Sequence, residues 1–448
     1  MDRFLLVSSD SHAGVPKDLW STYLDPRFHD LLPGLREDNE VYPRAIGHLT
    51  AKRGSTTQLP ELQEAHSTGW HGLHDPVLRL ADMDADGVAA ELIFHGDFRL
   101  GDLFHNATNR ACAFEVWDAG ARAWNRWAAD NFGFAMDRFL VTGAIGSCVD
   151  LAATVDDLHW IADHRFTATY APGYMRHDDT PPLHDASWEP FWTACEERNI
   201  ALVVHAGFGW EQGVVFPELE RICAGVADDG DVPEASVRFF SEFSGSVRPR
   251  RPMWQLMLGG VFDRHPALRL VLTEIRADWI PATLAHLDAV YEAHRADLPA
   301  ARRPSEYWRD NCIAGASFIH KAEVEMRHEI GVETLSFGRD YPHPEGTWPH
   351  TAPWLRDAFA GVPEPEARLM LGENLVRFLG LDRERLADIG RRIGPFPEAI
   401  LGPGEPVDPR LIESFANRGG YLKPAEGDTR IDAVDELIRQ DLAVLAAR

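Results

Sequence analysis

Eight short apolar runs, each separated from the next by a longer stretch of helical period, fix the class of fold open to this chain. The runs cover residues 4–10, 89–94, 139–146, 166–171, 201–207, 268–274, 312–318 and 334–341. Between them, apolar residues at helical spacing predict helices over 76–86, 106–132, 151–164, 187–198, 253–264, 280–296 and 320–330, and another over 363–379 follows the eighth run. Continuous apolar strands alternating with helices imply a parallel sheet covered on both faces. Eight such units point to a closed barrel rather than an open sheet. The expected class is α/β: a (β/α)8 TIM barrel with loop insertions and a C-terminal extension. At 448 residues the chain is long enough for it.

Three segments stand outside the alternation. Residues 15–75 are rich in Pro, Gly and His and lie between the first strand and its helix. Residues 208–252 hold the acidic stretch Asp228-Asp229-Gly230-Asp231 and the basic stretch Arg248-Pro249-Arg250-Arg251-Pro252. Both follow the C-terminal end of a strand, where barrel loops build or cover the active site. Residues 382–448 begin with a helix-like segment over 382–392 and end in an amphipathic stretch over 431–445. The organisation expected is therefore a barrel over 1–381 and an extension over 382–448 that wraps either the barrel or a second subunit, as an intersubunit arm.

Polar residues closing the apolar runs carry the functional signal. The first run ends Asp10-Ser11-His12, the fifth at His205, the sixth at Glu274 and the eighth at Asp340. Residues i and i+2 of a strand point to one side, so Asp10 and His12 can both face the barrel axis. Two imidazoles and three carboxylates converging from four strand ends are what a divalent metal site requires. Carboxylates crowded in a barrel mouth repel one another, and a cation resolves that repulsion. Taken singly, each residue has a plain structural reading: a packed core histidine for His205, a salt-bridged residue for Glu274, a turn for Asp340.

As an ordered set, several segments resemble the amidohydrolase-2 branch of the amidohydrolase superfamily, the group related to aminocarboxymuconate-semialdehyde decarboxylase. They are Val7-Ser8-Ser9-Asp10-Ser11-His12, Arg79-Leu80-Ala81-Asp82-Met83-Asp84-Ala85-Asp86-Gly87-Val88, Pro182-Leu183-His184-Asp185, Val204-His205-Ala206-Gly207 and Leu272-Thr273-Glu274. Asp278-Trp279-Ile280-Pro281, Phe337-Gly338-Arg339-Asp340-Tyr341-Pro342-His343 and Glu373-Asn374 complete the set, which spans roughly residues 4–381. The resemblance implies a distorted barrel with one divalent ion, zinc foremost, manganese or iron as alternatives, held by Asp10, His12, His205 and Asp340. Decarboxylases of the family often carry His or Glu at the Asp10 position and His at the Glu274 position, so Glu274 stands as a ligand or as an acid/base. Many relatives read Glu-Ser-Gly and Gly-Ser-Asp where this chain has Glu274-Ile275-Arg276 and Gly338-Arg339-Asp340.

The two arginines that replace small residues have two readings: a fork for a substrate carboxylate, or pairing with Glu274, Asp340 or Asp278. His343, Trp348 and His350 follow the last proposed ligand in a loop expected to overhang the site. Among them, His343 is a candidate for acid/base work or substrate binding, and Trp348 for substrate binding or packing. Trp210 and Phe216 line either an aromatic pocket or the core of a lid. His71, His74, His95 and His105 are read as structural or exposed.

A metal on these ligands lowers the pKa of bound water and polarises a carbonyl, with Asp340, Glu274 or His205 in the catalytic roles. Hydrolysis of a small amide, lactone or related carbonyl compound is the first expectation. Non-oxidative decarboxylation of a small aromatic or unsaturated carboxylic acid is the second, and a non-catalytic binding barrel the third. The formal charge of −26 argues against nucleic acid or an anionic membrane as partner. No G-x-S-x-G, phosphate-loop or dinucleotide fingerprint follows a strand. Five cysteines lie far apart without a C-x-x-C, and the N-terminal apolar stretch is too short for an export signal. A reduced, cytoplasmic enzyme with a small-molecule substrate, assembled as a homodimer or larger homo-oligomer, is expected.

Overall fold

The computed structural model describes residues 2–45, 70–96, 103–104, 109–176, 180–229, 246–315, 318–343, 346–402, 407–418 and 429–446. Eight parallel strands form the central sheet, each within or overlapping an apolar run: β1 (Leu6–Ser8), β2 (Val88–His95), β3 (Phe139–Gly143), β4 (Ala168–Tyr170), β5 (Ala201–Val204), β6 (Leu270–Thr273), β7 (Cys312–Gly315) and β8 (Leu335–Ser336). They pair in chain order, and a two-residue continuation of the first, His12–Ala13, pairs with β2. The ring closes between its first and last members. The amide of Ser9 donates to the Phe337 carbonyl at 2.8 Å, that of Asp340 to the Asp10 carbonyl at 3.1 Å, and that of His12 to the Tyr341 carbonyl at 2.6 Å. The architecture is the distorted TIM barrel expected from the alternation.

Both faces of these strands are buried. Leu5, Val7, Leu92, Phe94, Leu140, Val203, Val271 and Ile313 fill the barrel interior. Leu6, Ile93, Val141, Leu202 and Leu270 point the other way and join the apolar faces of the helices. The helix Pro76–Asp86 shows why helix ends were legible: Asp75 caps it by accepting from the amides of Val77 and Leu78, Pro76 opens it and Gly87, at φ +76°, ends it. The segment predicted as one helix over 253–264 is two, Arg251–Leu258 and Val261–Arg264, because Gly260 takes φ +65° against the Pro299 carbonyl. The helix predicted over 106–132 starts at Phe114. Pro304–Asn311 and Thr351–Ala358 are additional helices.

The barrel floor is sealed by the chain that follows the eighth strand. Leu375 and Leu379 of the helix Asn374–Leu379, with Leu386 and Ile389 of Arg383–Ile393, belong to the interior cluster. A Cβ on Gly394 would lie 2.0 Å from the Phe4 carbonyl, so only glycine lets this segment approach β1. The terminal helix Ile431–Ala446 lies along Arg251–Leu258 with Val434 and Ile438 buried. With the floor closed, the opposite end is left for chemistry. Among the described residues no helix is long and apolar enough to cross a membrane.

Candidate metal centre

The expected ligands meet at the C-terminal mouth of the barrel. Val203 faces inward on β5, and two residues further His205 does the same, as the strand period requires. His12 arrives on the short continuation of β1 beside Phe94. Glu274 and Asp340 are aimed differently. Each follows its strand in left-handed backbone, φ +57° and +52°, an unfavourable conformation for a carboxylate residue that turns the side chain toward the mouth. Ligand atoms of Asp10, His12, His205 and Glu274 all lie within 4.8 Å of one another, and His12, Asp340 and His343 form an overlapping second group.

The separations are those of groups around a common ion. Asp10 Oδ1 lies 3.5 Å from His12 Nε2 and 3.5 Å from His205 Nε2, and His12 Nε2 lies 3.5 Å from Asp340 Oδ1. Ligands about 2.1 Å from a shared cation stand roughly 3.0–3.5 Å apart. Glu274 Oε2 is 3.2 Å from His205 Nε2. The Nδ1 atoms of His12 and His205 lie 3.1 and 3.2 Å from the Gly96 and Ala206 carbonyls, an arrangement that fixes the proton on Nδ1 and turns Nε2 inward as a lone pair. Those two Nε2 atoms and both Asp10 oxygens are buried without a hydrogen-bond partner. Buried polar atoms left in this state on one carboxylate and two imidazoles, with the carboxylates of Glu274 and Asp340 beside them, fit a divalent cation.

In the protein alone, protons take over part of that charge balance. Burial drives the Asp340 carboxyl up to about 8, against the pull of His343 and with help from Asp10 and Glu274. Burial likewise lowers His12 to about 4, aided by the neighbouring His343. For His205 burial acts downward, but Glu274 and Asp10 outweigh it and raise the imidazole to about 9. Asp10 sits well below the usual carboxylate range, since His12 and His205 overcome the upward push of burial.

The remaining candidates divide. His343 joins the cluster: it stacks on His12 with ring centres 3.9 Å apart, and its Nδ1 is 2.9 Å from Asp340 Oδ1. Arg276 pairs with Asp278 at 2.9 Å. Arg339 does not face the mouth. It is fully buried, and Glu91 and Asp86 hold its guanidinium on the outer side of the strands, which removes it as a substrate fork and gives it partners other than those anticipated. Trp348 is buried edge-on against Tyr341. Trp210 carries Arg248 over its ring and Phe216 carries Arg110. His95 is buried among Trp124, Tyr170 and Tyr174, whereas His105 lies outside the described residues. Sequence reasoning missed Glu91, whose signal was a charge inside an apolar run. It also missed Glu323, which is fully buried and accepts from the amides of Ala277 and His320, anchoring the loop after Glu274.

Residues 25–381 match the amidohydrolase family model, and the chain belongs to that family. The matched segment begins after Asp10 and His12. A gamma-resorcylate decarboxylase of Rhodococcus jostii (strain RHA1) is 34% identical over 139 residues, covering 29% of this chain and 39% of that protein. One from Rhizobium sp. (strain MTP-10005) is 24% identical over 276 residues, 59% of this chain and 76% of the relative. An amidohydrolase structure from Mycobacterium avium subsp. paratuberculosis K-10 superposes with a TM-score of 0.60 at 17% identity, covering 84% of this chain and 99% of that one. A dihydroxybenzoic acid decarboxylase from Polaromonas sp. JS666, with manganese and 2-nitroresorcinol bound, gives 0.52 at 16% identity over 86% and 99%. The structural likenesses establish the barrel, and the decarboxylase relatives favour the carboxy-lyase expectation over hydrolysis.

Proposed function

We propose that this chain is a divalent-metal-dependent, non-oxidative decarboxylase of a small aromatic carboxylic acid. The observation that carries the reading is the junction of the ligand cluster with an aromatic wall. The Phe94 ring centre lies 4.7 Å from His205 and 6.0 Å from His12; Tyr170 stands 5.9 Å from Phe94, and Tyr174 4.6 Å from Tyr170. Aromatic rings beside a cationic site suit a flat ring bearing a carboxylate.

Asp10, His12, His205 and Asp340 would hold the ion, with Glu274 beside them. Three carboxylates, two imidazoles and no thiolate suit manganese at least as well as the zinc expected from the sequence, and the manganese in a related structure supports that choice. When bound, a divalent ion supplies a positive centre that neutralises the carboxylates and fixes an anionic substrate. Asp340 and Glu274 are the groups placed to move a proton, with His205 between Asp10 and Glu274. In the balanced reaction a proton adds to the ring carbon bearing the carboxylate, the carbon–carbon bond breaks, its electron pair restores the ring and carbon dioxide leaves.

The test is turnover of 2,6-dihydroxybenzoate and other hydroxylated benzoates by manganese-loaded enzyme in deuterium oxide. The expected result is one carbon dioxide per acid consumed and one deuterium on the ring carbon. No carbon dioxide from any of these acids, with ¹⁸O from water entering the acid product of an amide or lactone, would restore the hydrolytic reading.

A further inference from the structure

We propose that Glu91 is a positioning residue for the metal centre: from the outer side of the barrel wall it holds, through Arg79 and Arg339, the two backbone segments that present His12 and Asp340. The inference rests on the metal-site reading above and concerns side chains that never meet the substrate. On β2, Leu92 and Phe94 face the barrel interior and Ile93 faces the helices, so the strand period turns Glu91 outward with Ile93.

Glu91, Arg79 and Arg339 are all fully buried. Glu91 Oε1 accepts from Arg79 Nε at 2.5 Å, and Oε2 accepts from Arg339 Nη2 and Nε at 2.7 and 3.0 Å. Each arginine is also bonded to a segment that leads to the mouth. Arg79 Nη1 donates to the His12 carbonyl at 2.6 Å and to the Gly72 carbonyl at 3.2 Å. Arg339 directly precedes Asp340. Its amide donates to Ser8 Oγ at 3.0 Å, and that hydroxyl donates to the Asp10 carbonyl at 2.7 Å. Asp86 takes Arg339 Nη1 at 3.2 Å, and both guanidinium groups lie against the Tyr341 ring. One carboxylate thus ties together the segments carrying three proposed ligands.

Stability alone does not account for such a cluster, since well-packed apolar residues often replace buried ion pairs with no loss or with a gain. What the rigid guanidinium fork adds is fixed geometry, and metal sites depend on ligand positions held to about 0.5 Å. The two arginines also outweigh burial and hold Glu91 ionised, below the usual range for its carboxyl, so the clamp persists through neutral pH.

The test titrates the purified full chain with Mn²⁺, following free ion by electron paramagnetic resonance, alongside circular dichroism and thermal melting. Wild-type protein is expected to take up about one equivalent. Glu91→Gln and Arg79→Lys are expected to raise Kd about 10–100-fold while folded, and excess Mn²⁺ should recover most of the lost turnover. Asp441→Asn, which alters a buried carboxylate of the terminal helix paired with the partly buried Arg251, should lower Tm and leave Kd unchanged. An unaltered Kd in folded Arg79→Lys overturns the proposal, and so does loss of fold in both variants, which would assign the cluster to folding. Wild-type protein that takes up no Mn²⁺ overturns the metal-site reading itself.

Discussion

Asp10 has both carboxylate oxygens buried beside two imidazole nitrogens at 3.5 Å; in the protein alone those imidazoles hold its charge, and a bound cation would take over that part. Asp10→Asn is therefore expected to leave the metal-free protein folded, with Tm within about 3 °C of wild type. Elemental analysis should show bound metal falling from about one equivalent to near zero, and kcat/KM should drop more than about a thousandfold, roughly 4 kcal/mol. His205→Ala should behave alike, and full activity in either variant removes that residue from the centre. At this scale the site was legible wherever the strand period governs. His205, two residues beyond inward Val203, points where alternation sends it. Asp10 and His12 share the parity of outward Leu6, and come to the mouth together because β1 breaks after Ser8 and pairing resumes only at His12. Glu274 and Asp340 were recognisable as polar residues ending apolar runs, but the left-handed turns that aim them leave no periodic trace. For the same reason Arg339 was misplaced: the turn that brings Asp340 to the mouth leaves its neighbour among Glu91 and Asp86.

All eight strands were visible because each is short and covered on both faces, which leaves an apolar run rather than an alternation. Helices with a capping aspartate and a closing glycine were visible at their ends, as in Pro76–Asp86. Short helices such as Pro304–Asn311 and Thr351–Ala358 were hidden because few turns leave too little period to read. One bond between elements that responds to pH runs from β2 to Pro76–Asp86, through Glu91 and Arg79. Burial pushes the Glu91 carboxyl upward, and Arg339 and Arg79 more than reverse it, so the folded pKa lies below the unfolded value near 4.5. A depressed carboxyl contributes stability above its unfolded pKa and loses it as pH falls through the folded one. Melting curves from pH 7 to 3 should show wild type losing stability below about pH 4.5, with Glu91→Gln lacking that component. Parallel pH profiles for the two proteins would remove Glu91 as the source.

At the scale of the whole molecule, the extension after residue 381 divides by task. Arg383–Ile393 supplies Leu386 and Ile389 to the barrel floor, so it is part of the barrel's own core. The terminal helix attaches elsewhere, through one buried carboxylate. Asp441, 2% exposed, accepts from Arg251 at 2.8 Å, from the Trp254 indole at 2.8 Å and from the Gln255 amide at 2.8 Å. Val434 and Ile438 are buried along the same face at helical spacing. Removing one partner of a buried, hydrogen-bonded ion pair leaves the other charge uncompensated, and Asp441→Ala should lower stability by about 3 kcal/mol in denaturant titration. With Val434 and Ile438 covered within the chain, this helix keeps little apolar surface for a neighbour beyond Val444, which is 40% exposed. Deletion of residues 431–448 should therefore lower Tm while leaving the number of subunits, measured by light scattering, the same as wild type. A smaller assembly after that deletion would instead make the helix an arm between subunits, with the contact to Arg251–Leu258 only part of its role.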